Sequence, residues 1–113
     1  MADALFLPDG RCIADSIIWA SGAYDKMRGL LGTGCLCEGQ ALVIVGARQV
    51  HTFGMSYAID VLFCDADWIV RHRVHRLGPN RITRWVRRAW FVIELPVGSA
   101  GAVGVGDRLR ADA

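Results

Sequence analysis

The sequence predicts a mainly β fold: one small barrel- or sandwich-like domain of short strands, with one short helix in its N-terminal half. Three observations carry that expectation. The chain has 113 residues, a length that suits one domain around one core. It is 53% hydrophobic and only 21% charged, with a mean hydropathy of +0.30, which excludes an intrinsically disordered chain. Its apolar residues fall in many short runs between Gly, Pro and Asp turn signals, and one stretch alone has helical spacing. The longest runs, such as Ala41 to Val45 and Ala89 to Ile93, are far shorter than the roughly 18 residues a spanning helix needs, so no membrane span is expected.

The elements follow in order. Leu5-Phe6-Leu7 runs into Pro8-Asp9-Gly10 and then into the Ile-rich stretch Arg11 to Trp19. Pro presets φ for a turn and Gly accepts positive φ, so this reads as a hairpin. Ser21 can cap a helix in which Ala23, Met27, Leu30 and Leu31 share one face, and Gly32 can end it. Ala41 to Val45 is a strand, Gln49 to Met55 alternates as a strand does, and Ile59 to Cys64 leads into a hairpin turn at Asp65-Ala66-Asp67. Trp68 to Leu77 is the next strand, with Trp68, Val70, His72 and Val74 on one face and Arg71, Arg73 and His75 on the other. Gly78-Pro79-Asn80 is a loop, and Arg84 to Leu95 reads as strand, with one helical turn open for its first half. After Pro96-Val97-Gly98, the stretch Val103 to Leu109 closes the chain as a Gly-rich strand with a bulge or tight bend. With no repeat or linker, a single domain over residues 1–113 is expected.

Charge is uneven. The net charge is +2 and Lys26 is the only lysine, so twelve of the 13 basic residues are arginine. Seven arginines lie between Arg71 and Arg88, and no Asp or Glu occurs between Asp67 and Glu94. One reading is a solvated face. The other is a surface for an anionic partner, nucleic acid or acidic protein, contacted by Arg71, Arg73, Arg84, Arg87 and Arg88 beside Trp85 and Trp90. No recognised nucleic-acid motif accompanies the stretch.

The N-terminal residues lack the pattern of a secretory signal, so a cytoplasmic location is expected, with Cys12, Cys35, Cys37 and Cys64 as thiols. The Cys35-Leu36-Cys37 pair is too close for a structural zinc knuckle. Gly32-Thr33-Gly34 and the glycines from Gly101 to Gly106 lack the strand–loop–helix setting of a dinucleotide site, so no cofactor is expected there.

Four motifs are more specific. They are Met27-Arg28-Gly29-Leu30-Leu31-Gly32, His51-Thr52-Phe53-Gly54-Met55 running into Ile59-Asp60, the Glu94-Leu95 strand, and Val105-Gly106-Asp107. In this order and spacing the chain resembles, over about Met27 to Leu109, the bacterial and archaeal family called domain of unknown function 192. Gly54 stands where many members have Trp. The resemblance implies a small, mainly β domain with a short helix, and no established activity.

On extended backbone His51, Phe53 and Met55 share a face, and so do Asp60, Leu62 and Cys64, which sets a carboxylate among core residues. A buried carboxylate needs a partner, and Arg28 and His51 are the candidates. The cluster is then either a structural polar knot, in which Asp60 accepts from His51 or from backbone N–H groups and locks the helix onto the sheet, or, with Arg28, His51, Met55, Asp60 and Glu94, the lining of a small-ligand pocket. A soft-metal version uses His51 and Met55, with Cys64 close, and an enzymatic one makes Cys64 a nucleophile with His51 as base. The expectation is a non-enzymatic binding or accessory module, with no catalytic residue, metal or cofactor assigned.

Overall fold

Runs such as Ala41 to Ile44 show no polar alternation because both of their faces are buried, and that fact organises the molecule. The computed structural model describes residues 4–20 and 36–112. The expected helix and Arg28 fall in 21–35, outside the described residues. Eight strands are seen among the described ones: β1 (Ala4–Phe6), β2 (Cys12–Ala14), β3 (Ser16–Ala20), β4 (Gln40–Val45), β5 (Ile59–Cys64), β6 (Val70–Leu77), β7 (Phe91–Pro96) and β8 (Arg110–Asp112). They form two sheets, ordered β2-β1-β8 and β3-β4-β7-β5-β6. Neither sheet closes on itself, so the barrel alternative is removed and a two-sheet globule remains.

The chain passes from one sheet to the other at Asp15, between β2 and β3. There the Gly39 carbonyl accepts from the N–H groups of Asp15 and Ser16 at 2.9 and 3.0 Å. Gly39 sits at φ +88, and a Cβ on it would lie 2.8 Å from Asp15 Oδ1. Only glycine fits that corner without displacement. The β3–β4 pair beyond it is parallel, while the other pairs are antiparallel.

Alternation along the central strands sorts the core into two layers. Ala41, Val43, Leu62, Cys64, Ile93 and Leu95 face the small sheet, where they meet Leu5, Leu7 and Ala14. Leu42, Ile44, Ile59, Val61, Phe63 and Val92 face the other way, and Val50, Met55, Leu77, Val86 and Ala89 cover them. Apart from Leu77 at the end of β6, that second cover comes from the connections between strands.

Two bulges on β6 break its alternation. Ile59 and Val61 pair with Leu77 and Val74, and Phe63 and Cys64 pair with His72 and Val70, so β6 carries one extra residue at each place. Arg76, at the first, has φ 51. The second turns Val70 toward the small sheet and His72 toward Phe63, whose ring centroid is 5.6 Å away. Val70 and His72 therefore lie on opposite faces, because a bulge inverts the register that simple alternation assumes.

Candidate functional site

Asp60 is wholly buried at the start of β5, and its carboxylate is met by backbone. Oδ1 accepts the Arg76 N–H at 3.0 Å, and Oδ2 accepts the N–H groups of Gly98 and Ala100 at 3.0 and 3.3 Å. His75 Nδ1 lies 3.6 Å from Oδ2. The carboxylate thus ties the β6 bulge to the turn after β7. It shares its face with Leu62 and Cys64, toward the small sheet, and pairs across to Leu95. Charge-assisted bonds to fixed N–H groups are the usual way a buried carboxylate is satisfied. Neither His75 nor the Gly98–Ala100 turn was visible as a partner in sequence, since both lie far along the chain.

Met55 and Glu94 lie on the opposite side of the sheet. Met55 packs with Ile59, Val61 and Phe63. Glu94 is 2% exposed and pairs with Leu42 and Val61, residues of that same layer. The sheet itself separates both from Asp60. His51 stands outside the strands, in a bridge to Ile82. Its ring stacks on Phe53 at 4.8 Å, and its Nδ1 accepts the Phe53 N–H at 3.4 Å.

The bridge belongs to a ladder between two connections. Thr52 N–H donates to the Arg81 carbonyl at 2.8 Å, and Thr83 N–H to the Val50 carbonyl at 2.9 Å. Two buried hydroxyls lock it: Thr52 Oγ1 donates to the Gly78 carbonyl at 2.6 Å, and Thr83 Oγ1 accepts the Val50 N–H at 3.0 Å. Asn80, at φ 57, takes the Gly54 N–H on its Oδ1 at 3.1 Å. Gln49 to Met55 is therefore a braced loop rather than a strand. The turn at Gly54, with φ 82, ends the alternation expected there.

Beyond Ile82 the chain buries every third residue, Thr83, Val86 and Ala89, and leaves Arg84, Trp85, Arg87 and Arg88 exposed. A period of three leaves two exposed side chains between successive buried ones, which neither the strand nor the α-helix period gives. Val86 N–H donates to the Arg48 carbonyl at 2.8 Å, and Arg48 Nε donates to the Ala89 carbonyl at 3.0 Å, which fixes the segment. The result is a cleft of about 370 Å³ lined by Arg71, Arg84, Trp85, Val86, Arg87, Arg88 and Val105. Trp85 is 60% exposed. Trp90 belongs to a separate cleft with Val45, Gly46, Arg48 and Ala89.

The five arginines singled out in the sequence are thus in different states. Arg71 is held by Asp65, with Nε and Nη2 each 2.7 Å from Oδ2. Arg73 donates to the Val103 carbonyl. Among the described residues, Arg84, Arg87 and Arg88 make no ion pair. Burial, reinforced by the Arg84 charge, lowers the pKa of His72. Val105 was not anticipated as a wall of the cleft. It arrives there because Gly106 N–H donates to the Val70 carbonyl at 2.8 Å and Gly104 N–H to Asp107 Oδ2 at 2.8 Å, folding the Val105-Gly106-Asp107 motif against β6.

Cys64 is buried, and burial with the Asp65 charge pushes its thiol up to about 12. It stays protonated at neutral pH, the opposite of what a nucleophile needs. Among the described residues, no three His, Cys, Asp or Glu side chains converge as a metal-holding group. No helix among them is long and apolar enough to cross a membrane.

A family model, DUF192, described as an uncharacterized group, matches residues 8–111. No curated protein matches the chain. Two solved structures are similar in fold. One is described as a candidate transcription regulator from Sinorhizobium meliloti 1021, at 21% identity and TM-score 0.77, covering 96% of this chain and 90% of that one. The other is a protein of unknown function from Novosphingobium aromaticivorans DSM 12444, at 14% identity and TM-score 0.77, covering 95% and 83%.

Proposed function

The chain belongs to the DUF192 family, and on that premise we propose that it is a non-enzymatic binding module for an anionic partner, taken along the cleft of Arg84, Arg87 and Arg88. One observation carries this reading. Three guanidiniums without ion pairs among the described residues share a braced cleft with an exposed indole, in a stretch with no acid from residue 68 to 93. Focused positive potential of this kind attracts polyanions and raises their on-rates.

Asp60 supports the same reading from the structural side. A carboxylate with no exposed surface and three backbone donors is a brace for the fold, and general acid–base work requires a group within reach of substrate. The reading takes the domain as a single unit in the cytoplasm, where an exposed thiol such as that of Cys12 stays reduced.

The test is titration with inorganic polyphosphate across a salt series, on the native chain and on the triple variant Arg84→Ala/Arg87→Ala/Arg88→Ala. Binding at low salt that weakens steadily as salt rises, and is lost in the triple variant, is expected. No binding at low salt, or binding indifferent to salt and to the three substitutions, overturns the reading.

A further inference from the structure

We infer that the partner of this surface is single-stranded nucleic acid, with phosphates on Arg84, Arg87 and Arg88 and bases stacked on Trp85 and Phe53. The inference rests on the anionic-partner reading and adds what the exposed rings contribute. Trp85 and Phe53 are 60% and 55% exposed, and Ile82, between them on the ladder, is 56% exposed. Large apolar side chains gathered on a braced surface mark an interaction site rather than scattered exposure.

The ladder links them. Phe53 stacks on His51, and His51 bridges to Ile82. Trp85 follows three residues later, which sets its Cα at most about 10 Å from that of Ile82. Trp85 thus lines the cleft with the guanidiniums, Phe53 stands on the other strand of the adjoining ladder, and the Thr52 and Thr83 hydroxyls hold that ladder in place before any partner arrives. Preorganisation of this kind reduces the ordering cost of binding.

The combination separates partner classes. An acidic peptide would pair with the arginines and leave both rings without a complementary face. Duplex DNA would offer phosphates with its base faces hidden in the stack. Unpaired bases supply a π-face at intervals along a phosphate chain, which is what an exposed indole among guanidiniums, with a second exposed ring on the adjoining ladder, accommodates. Stacking of this type tolerates sequence, so little base preference is expected.

The experiment measures fluorescence anisotropy of a labelled oligothymidylate, an abasic strand of the same length and a duplex, with Trp85→Ala, Phe53→Ala and Arg88→Ala variants checked for folding by circular dichroism. The intact strand is expected to bind about tenfold or more tightly than the abasic one, and Trp85→Ala to lose about tenfold or more. Arg88→Ala should lower the slope of log affinity against log salt by about 0.7. Equal binding of abasic and intact strands, or of duplex and single strand, or indifference to both ring substitutions, overturns the nucleic-acid inference while leaving the anionic-partner reading intact. Absence of binding to all three together with polyphosphate overturns both.

Discussion

At the scale of single residues, Asp60 shows how a motif position can serve as a brace within the fold. Its two oxygens answer three N–H donors from two places in the chain. In Asp60→Asn one oxygen becomes an amide that faces donors instead of accepting from them. A loss of about 3 kcal/mol or more is expected in urea denaturation, and a loss under about 1 kcal/mol would show that the site tolerates a neutral side chain. Cys64, raised to about 12 by burial and the Asp65 charge, should resist thiol reagents at pH 8 in the folded protein and react only on unfolding. Peptide mapping by mass spectrometry after a timed pulse reads this directly, and rapid native labelling of Cys64 would contradict it. His72 titrates in the opposite sense to a stabilising histidine. Burial and the Arg84 charge lower its folded pKa from 6.5, so below about that pH the unfolded chain takes up the proton first. Stability should therefore rise with pH through this window and level off above it. Arg84→Ala should move the His72 titration upward by NMR, and an unmoved titration would remove Arg84 as a cause.

At the scale of elements, the sequence was most legible where burial was simplest. The strands at Gln40–Val45, Ile59–Cys64 and Phe91–Pro96 are buried on both faces and read as short apolar runs. The turn at Pro8-Asp9-Gly10 joins an antiparallel pair, as its residue types dictate. Reading failed where backbone geometry departs from a fixed period. The bulges of β6 inverted the face of Val70 relative to His72, and the segment 83–89 buries every third residue, a strict spacing that matches neither the strand nor the α-helix period. Parallel pairing of β3 with β4 was likewise invisible, because it depends on a crossover rather than a local turn. Two element-scale predictions follow from the corners. Gly39→Ala forces a Cβ against Asp15 at positive φ, and should destabilise by about 1–3 kcal/mol in thermal or chemical unfolding; a neutral effect would show that the corner has slack. In the β5–β6 turn, burial raises the Asp65 carboxyl, but bonds from the Ile69 N–H, the Arg71 guanidinium and the Asp67 N–H outweigh it and hold the pKa below 3.8. That stability is present above pH 3.8 and disappears as pH falls through the lower folded value. Asp65→Asn should flatten this acid limb, and an unchanged limb would contradict the assignment.

At the scale of the whole molecule, the two sheets and their connections have separate roles. The sheets bury the apolar runs in two layers, while the connections at 46–58 and 78–90 cover the second layer with one side and present rings and guanidiniums with the other. Charge arithmetic alone drew attention to Arg71 through Arg88. Only the fold shows that Arg71 and Arg73 are engaged within the protein and that Arg84, Arg87 and Arg88 share a cleft with Trp85 and Val105. The polar residues of the family motifs divide similarly: Asp60 and Asp107 shape turns, and Thr52 locks the ladder that adjoins the cleft. On the proposed reading, binding and folding rest on different residues of one small chain. The most direct measurement is amide chemical-shift mapping by NMR during titration with a single-stranded oligonucleotide at low salt. Shifts should concentrate at Arg84 to Arg88, Val105, Ile82 and Phe53, with Asp60, Gly98 and Ala100 unmoved. Shifts centred on Asp60 and its turn, with the arginine segment silent, would contradict the central claim.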